Sequence, residues 1–214
     1  RILDPCCGEG SALLAIKESL IAAGASVEAL GVDFDHERAW HAKGLLDIAI
    51  HSDINDVTIG ARSVGLLFLN PPYGDVVPDA AQTGDAAKRE RLEKVFVRRC
   101  LQSLRYGGVL VLIVPFYVID EAFANLIARN FERVQFFMAP EQRFRQCGIF
   151  GVRRRSDRAD PAVVTILECA GRGELSERVL PEQGWPDEPY RVPECEDAAL
   201  RFHAHRIDAE QLSA

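Results

Sequence analysis

Short runs of apolar residues alternate along the chain with segments in which apolar residues recur every three or four positions. The runs predict strands at 1–4, 27–33, 48–51, 64–69 and 109–114. The periodic segments predict helices at about 13–24, 37–46, 97–104 and 122–127. Gly107 and Gly108 are expected to end the third helix, because glycine is common just past a helix end.

Strands that alternate with helices in this way form a mainly parallel sheet with helices on both faces. We therefore predict an α/β, Rossmann-like, doubly wound fold, in which two late runs, 134–138 and 162–167, are strands that pair antiparallel at one edge. Ligands of such a sheet bind beyond the carboxyl ends of its strands. After Gly171, four prolines and many acidic residues predict an irregular segment that is either packed on the domain or disordered. The chain is thus divided into a main domain, 1–171, and an acidic, proline-rich C-terminal extension, 172–214.

The composition is ordinary for a soluble domain, with 48% hydrophobic and 27% charged residues among 214. The longest apolar run is interrupted by Pro115 and is shorter than the ~20 residues of a membrane span, so no membrane segment is expected. No secretory signal precedes the first strand. Because the chain begins with Arg1 at a strand, we expect its natural N-terminal part to be missing.

A net charge of −7 argues against broad non-specific binding to nucleic acid. Basic residues nevertheless cluster in two segments, 88–99 and 153–155, and such runs either bind phosphate or form a solvated surface. The six cysteines form no Cys-x-x-Cys pair and the five histidines complete no zinc set, so no metal site is expected. Scattered cysteines of this kind are typical of reduced thiols in a cytoplasmic protein.

A glycine-rich turn joins the first predicted strand to the first helix. The residues of interest in it are Asp4, Pro5, Cys6, Gly8 and Gly10. The two glycines allow a sharp turn and a close approach of the backbone to a ligand, and the helix behind them offers free backbone amides. The turn is not a P-loop, because no Gly-Lys-Ser or Gly-Lys-Thr follows. Leu13 stands where the third glycine of a nicotinamide-binding fingerprint belongs, so an NAD-dependent oxidoreductase is not expected.

Acidic residues also stand at the ends of the next two predicted strands. Asp33 follows the second strand, where a carboxylate can accept hydrogen bonds from both hydroxyls of a ribose. Phe34 can lie flat on an adenine ring, and Asp53, after the third strand, can accept from the adenine amino group. An acidic residue at such a position can instead cap a helix, and Asp35 fits that role best. Because three strand ends carry such residues together, we interpret Asp33 and Asp53 as ligand contacts.

Asn70-Pro71-Pro72-Tyr73 directly follows the strand at 64–69. The two prolines restrict the backbone, so the Asn70 carboxamide and the Pro71 carbonyl are held in place. Both oxygens can accept hydrogen bonds from one amino group, which concentrates lone-pair density on its nitrogen for in-line attack on a methyl sulfonium. Tyr73 offers an aromatic face on which a planar acceptor stacks. This chemistry requires positioning and electrostatics but no metal.

These motifs resemble those of class I S-adenosylmethionine-dependent methyltransferases that methylate amino nitrogens, and above all adenine-N6 DNA methyltransferases. The motifs are, in order, Asp4-Pro5-x-x-Gly8-x-Gly10, Gly31-Val32-Asp33, Asp53 and Asn70-Pro71-Pro72-Tyr73. The resemblance spans most of 1–171 and implies that this part is the catalytic domain, with a seven-stranded methyltransferase sheet and S-adenosylmethionine as cofactor.

The resemblance also implies a role for each residue of the motifs. The implied cofactor contacts are Asp4, Pro5, Cys6, Gly8, Gly10, Asp33, Phe34, Asp53 and Asn70. The implied catalytic residues are Asn70, Pro71, Pro72 and Tyr73. The segment 143–151 is similar to a late motif in which an aromatic residue packs on a flipped base, and Phe144 is the candidate beside Tyr73. A core or hinge aromatic explains Phe144 nearly as well.

Two departures from the family leave the acceptor open. The motif that precedes the first strand is absent, and no large target-recognition domain follows. Recognition would fall to the loop 74–85, to the two basic segments or to a partner chain. The same tetrad serves guanine-N2 or adenine-N6 methylation in ribosomal RNA and glutamine-N5 methylation in proteins, and a catalytically silent module that binds nucleic acid or a partner is a further alternative. Our prediction is an N-methyltransferase acting on N6 of adenine, with DNA favoured over RNA.

Overall fold

A seven-stranded sheet forms the centre of the protein in a computed structural model that describes residues 1–74, 91–141, 143–156, 158–182, 184–185, 188–195 and 200–205. The strands of these residues are β1 (Ile2–Asp4), β2 (Ala29–Asp33), β3 (Ile48–His51), β4 (Val57–Ile59), β5 (Val64–Leu69), β6 (Leu104–Pro115), β7 (Phe131–Met138), β8 (Gln146–Arg153) and β9 (Phe202–Ala204). The helices are α1 (Ser11–Ala22), α2 (His36–Lys43), α3 (Leu92–Leu101), α4 (Glu121–Asn130) and α5 (Pro161–Gly171).

The strand order in the main sheet is β3-β2-β1-β5-β6-β8-β7. Neighbours among β3, β2, β1, β5 and β6 pair in parallel, and β8 runs antiparallel between β6 and β7. A separate two-stranded sheet is formed by β4 and β9. This arrangement confirms the predicted Rossmann-like, mainly parallel sheet with an antiparallel edge. It also brings the carboxyl ends of β1, β2, β3 and β5 to one edge of the sheet.

Two apolar cores cover the two faces of the main sheet, because successive side chains of a strand point to opposite faces. Leu67 and Leu69 of β5 pack in one core with residues of α3, α4 and α5. Leu66 and Phe68 of the same strand pack in the other core, against residues of α1 and α2. All six residues of β5 are buried, and the continuous apolar run at 64–69 predicted this strand.

Two predictions about local structure were wrong. The run 162–167, predicted to be a strand, lies in α5, and β8 is the antiparallel strand instead. The β-branched run suggested a strand, but Asp160 accepts a hydrogen bond from Ala162 N at 2.9 Å and Pro161 occupies the first helical turn, so the helix begins there. The third predicted helix was placed too late in the chain, since α3 begins at Leu92 and ends at Leu101, and the Gly107–Gly108 pair lies inside β6.

The described residues of the C-terminal extension pack on the domain. The amide of Leu180 donates to Met138 O at 2.9 Å, beside the end of β7. The ring of Trp185 contacts those of Phe137 and Phe150, with centroids 5.4 and 5.0 Å away. Further on, β9 pairs antiparallel with β4. Of the helices in the described part of the chain, none combines the length and the apolar character that a membrane span requires.

Candidate active site

The glycine-rich turn after β1 is tied to the end of β2 by backbone hydrogen bonds. The amide of Cys7 donates to Val32 O at 2.8 Å, and the amide of Gly8 donates to Asp33 Oδ2 at 2.8 Å. Gly8 and Gly10 have φ values of 56° and 88°, a region that side chains disfavour. The helix α1 begins directly after Gly10, at the same edge of the sheet. No side chain caps its first turn, so the backbone amides there can donate to a ligand. The turn therefore has the predicted shape of a ligand-binding loop.

Two carboxylates lie beneath this turn. Asp4 is 2% exposed, and burial raises the pKa of its carboxyl from 3.8 to about 7. The hydrogen bond from Cys6 N lowers that pKa in part, while the charge of Asp33 raises it. Asp33 is 6% exposed and also accepts from Asp35 N at 2.9 Å, with Arg38 Nε 3.4 Å away. A cation bound above the turn would stabilise the ionised form of Asp4.

The residues predicted to contact adenine follow β2 and β3 at the same edge. The ring of Phe34 is 74% exposed, which suits a face that stacks on a ligand. Asp53 instead uses one oxygen locally, because its Oδ1 accepts from Asn55 N at 2.8 Å and caps a short 3₁₀ helix. Asp35 caps α2, as predicted, by accepting from Arg38 N at 2.9 Å. The adenine contact of Asp53 stays a prediction.

The acceptor motif begins where β5 ends, beside β1. Asn70 is exposed, Pro71 is buried, and Tyr73 keeps 38% of its surface exposed. The hydroxyl of Tyr73 donates to Asn70 Oδ1 at 3.1 Å. Burial and the charge of Asp4 raise the pKa of the Cys6 thiol well above its usual value. Because β1 and β5 pair in parallel, the turn after β1 and the motif after β5 lie side by side at this edge of the sheet.

Gln146, at the start of β8, completes a chain of hydrogen bonds that the sequence analysis missed. Its Nε2 donates to the Tyr73 hydroxyl, which in turn donates to Asn70. Burial raises the pKa of Tyr73, and the bond from Gln146 lowers it in part. The residue lies within the segment 143–151 that the sequence analysis selected. Its contact with Tyr73 depends on β8 pairing with β6, where Gln146 lies opposite Pro115.

Exposed aromatic rings with arginines against them also lie at this edge of the sheet, where the end of β6 meets the start of β8. Tyr117, just past the end of β6, is 52% exposed, and the guanidinium of Arg91 lies 5.5 Å from its ring centre. Phe144, two residues before Gln146, is 55% exposed and has Arg143 at 5.3 Å. We call the surface at Tyr73, Tyr117 and Phe144 the acceptor cleft, because an acceptor would lie against these rings in the reaction proposed for this protein. The predicted recognition loop 74–85 lies outside the described residues from 75 onward, as do Lys88 and Arg89 of the first basic segment.

A buried carboxylate lies behind the acceptor cleft. Glu93, in the first turn of α3, is fully buried, and its Oε1 accepts from Arg91 Nη2 at 3.1 Å. Its Oε2 has no hydrogen-bond partner among the described residues. Glu93 was not predicted, because nothing in a helical pattern distinguishes a buried glutamate from an exposed one. No group of three or more His, Cys, Asp or Glu side chains in the described part of the chain could hold a metal ion.

Comparisons with known proteins agree with this architecture. The model of an uncharacterised methyltransferase family (DUF6094) matches residues 1–179. The structure is similar to a chain described as a class I S-adenosylmethionine-dependent methyltransferase of Listeria monocytogenes, at 19% identity and a TM-score of 0.59, covering 79% of this chain and 63% of that one. It is also similar to the methyltransferase subunit of a type I restriction-modification system of Streptococcus thermophilus, at 14% identity and a TM-score of 0.55, covering 80% of this chain and 47% of that one.

These structural likenesses show the fold. The present chain spans less than two thirds of the length of either structure. A comparison with curated protein sequences finds no match.

Proposed function

Since the chain belongs to an uncharacterised methyltransferase family (DUF6094), we propose that it transfers a methyl group from S-adenosylmethionine to an amino nitrogen, with N6 of adenine in DNA as the acceptor. The observation that carries this proposal is the parallel pairing of β1 with β5, which places the turn after β1 beside the motif after β5. It joins the turn that would hold the cofactor to the motif that would hold the amino group. A donor and an acceptor bound at these two places would lie side by side, as direct transfer requires.

The residues around the turn after β1 suit S-adenosylmethionine. The uncapped amides of α1 and the close backbone at Gly8 and Gly10 suit the polar methionine end, and the buried Asp4 carboxylate suits its positive charge. Asp33 retains lone pairs for ribose hydroxyls, since a carboxylate accepts about four hydrogen bonds and Asp33 accepts two from backbone amides. When bound, the cofactor supplies an electrophilic methyl group on a sulfonium.

The acceptor motif suits a conjugated amino group. Asn70 Oδ1 and the Pro71 carbonyl would accept its two hydrogens, which reduces the delocalisation of the nitrogen lone pair into the ring. As the nitrogen bonds to the methyl carbon, the carbon–sulfur bond of the cofactor would break and leave a neutral thioether, and one proton would pass from the nitrogen to solvent. Asn70 Oδ1 can accept from both Tyr73 and the acceptor, because a carboxamide oxygen has two lone pairs. Tyr73 and Phe144 would stack on the two faces of the base.

Nucleic acid is favoured over a protein acceptor by the surface of the acceptor cleft. Exposed tyrosine and phenylalanine rings bind bases by stacking, and arginines beside them bind phosphate or stack as well. Arg91 and Arg143 hold these positions next to Tyr117 and Phe144. The domain 1–171 would carry out catalysis, with the extension 172–214 packed on it. A partner chain for target recognition belongs to the proposal, because one structurally similar chain is a subunit of a type I restriction-modification system.

The proposal is tested by incubating the protein with labelled S-adenosylmethionine and unmethylated duplex DNA, followed by mass spectrometry of the digested nucleosides. We expect N6-methyladenine. Asn70→Ala should abolish it while the dissociation constant of S-adenosylmethionine changes less than about threefold, because Asn70 acts on the acceptor. Asn125→Ala is the matched control, since this half-buried asparagine lies on α4, away from the tetrad, and donates to the carbonyl of Glu121 one turn earlier.

Each other outcome has a defined meaning. Methylated guanine or adenine in ribosomal RNA, or methylglutamine in a protein, with no product on DNA, would transfer the proposal to those acceptors. Loss of cofactor binding in Asn70→Ala would show that the role given to Asn70 is wrong. A protein that binds no S-adenosylmethionine would instead favour a silent binding module.

A further inference from the structure

Arginines from different parts of the sequence, including the basic segment 153–155, come together at the edge of the sheet opposite the acceptor cleft. Val64, the first residue of β5, pairs with Leu104, the first residue of β6, and the end of β8 lies next to them. The ring of Tyr106, 37% exposed, protrudes there. The guanidinium carbons of Arg62, Arg153 and Arg155 lie 5.7, 5.1 and 4.6 Å from its centre. We call these four residues the Tyr106 patch.

The positive charges of the Tyr106 patch are not neutralised by the described part of the chain. No described carboxylate forms an ion pair with Arg62, Arg153 or Arg155. Arg153 donates to the carbonyls of Leu101 and Leu104, while its Nε is buried without a hydrogen-bond partner among the described residues. Burial lowers the pKa of Arg153, and the charge of Arg62 lowers it further. Three like charges this close repel one another, and a bound anion would relieve that repulsion.

The helix α3 connects the Tyr106 patch to the acceptor cleft. Its first amide donates to Gly74 O at 2.9 Å, next to Tyr73, and its 10 residues span ~15 Å toward the opposite edge. Arg98 and Arg99, in its last turn, border a shallow depression together with Gln102. The carbonyl of Gln102 accepts from Arg62 N at 2.8 Å. A basic surface therefore runs from the Tyr106 patch along α3.

We propose that the Tyr106 patch binds phosphate groups of a nucleic-acid backbone, on the strand that flanks the base held in the acceptor cleft. The proposal rests on the nucleic-acid acceptor proposed above. Guanidinium groups bind phosphate through paired N–H donors, and an aromatic ring among them can stack on a base. A continuous strand can contact Arg98, Arg99 and the patch in turn, so a chain of net charge −7 can still bind a phosphate backbone where its arginines are concentrated.

The test measures binding of a fluorescent oligonucleotide of about 20 nucleotides, single-stranded and duplex, by anisotropy over a range of salt concentrations. Arg62→Ala and Arg155→Ala should each weaken binding about 3- to 10-fold at moderate salt. Each should also reduce the magnitude of the salt slope by about 0.7 for the single strand or about 0.9 for the duplex. Lys43→Ala is the matched control, because this exposed lysine lies on α2, which packs on β2 and β3 at the far side of the sheet.

The measurement requires no methyl transfer, so its outcome is independent of the reaction. If the wild type binds DNA through the patch but forms no product, the proposed function fails and the patch stands. An unchanged slope in both arginine variants, or an equal loss in Lys43→Ala, overturns the proposal. Polyglutamate that binds as tightly as the oligonucleotide, with the same loss in Arg62→Ala and Arg155→Ala, also overturns it and assigns the patch to an acidic protein partner.

Discussion

The affinity for S-adenosylmethionine should rise with pH up to about 7, because binding favours ionised Asp4. Burial raises the pKa of this carboxyl from 3.8 to about 7, so most of it is protonated in the free protein below neutral pH. A positively charged ligand stabilises the carboxylate, so binding below pH 7 releases a proton. If only the ionised form binds, the affinity falls about tenfold for each pH unit below that pKa and levels off above it.

The same pKa determines the sign of the effect on stability. Because the pKa of Asp4 is higher in the folded than in the unfolded chain, the folded state binds more protons between about pH 4 and 7. The free energy of unfolding therefore falls as the pH rises through that range. A shift from 3.8 to about 7 corresponds to a loss of about 4 kcal/mol. Asp4→Asn removes this loss, so the variant should unfold at higher denaturant concentration than the wild type at pH 8.

The assay is isothermal titration calorimetry from pH 5.5 to 7.5, in two buffers with different ionisation enthalpies, which counts the protons released. The α-amino group of the ligand is half titrated at roughly pH 7.7–8.0, so the proton release measured with Asp4→Asn is subtracted from that of the wild type. Asp35→Asn is the matched control, since this exposed carboxyl has a lowered pKa and stays ionised throughout. An affinity that is flat with pH in the wild type, or a pH dependence that persists in Asp4→Asn, would refute the reasoning.

Two further predictions follow from the geometry. Gln146→Ala should lower the rate of methyl transfer about fivefold, for the loss of a hydrogen bond of about 1 kcal/mol, and should have no further effect in a Tyr73→Phe background. A double-mutant cycle on the single-turnover rate measures this, and additive losses would contradict the hydrogen-bond chain. Gly31→Ala should lower the free energy of unfolding by about 1–3 kcal/mol, because the new Cβ would lie 2.6 Å from Leu46 Cδ1 and 2.8 Å from Cys7 Sγ. Urea denaturation tests it, and an unchanged midpoint would show that these side chains move aside.

Local pattern predicted the parallel strands of the main sheet well. The apolar runs at 48–51 and 64–69 coincide with β3, at one edge, and β5, in the middle, and β5 follows the rule that buried parallel strands read as continuous apolar segments. The same rule was wrong at 162–167, where the β-branched residues belong to α5. The signals that distinguish the two, Asp160 as a cap and Pro161 in the first turn, were present in the sequence but outweighed by β propensity.

The candidate site was predictable wherever a motif occupies consecutive positions. Asn70 and Tyr73 bond to each other over three residues, so the tetrad alone contains their geometry. Asp53 is different, because a carboxylate just after a strand can contact a ligand or cap a helix. The hydrogen bond that its Oδ1 accepts from Asn55 N shows that Asp53 caps the short 3₁₀ helix.

Contacts between neighbours in the chain produce the alternation of strands and helices, the turn after β1 and the tetrad 70–73, so all three could be predicted from the order of the amino acids. Which distant residues meet depends on how the strands are arranged in the sheet. Gln146 reaches Tyr73 because β8 runs antiparallel to β6. Arg62 and Arg155 both contact Tyr106 because β5 begins, and β8 ends, at the same edge of the sheet. Strand order and direction bring such residues together, and both result from burying two apolar faces at once, which no local pattern encodes.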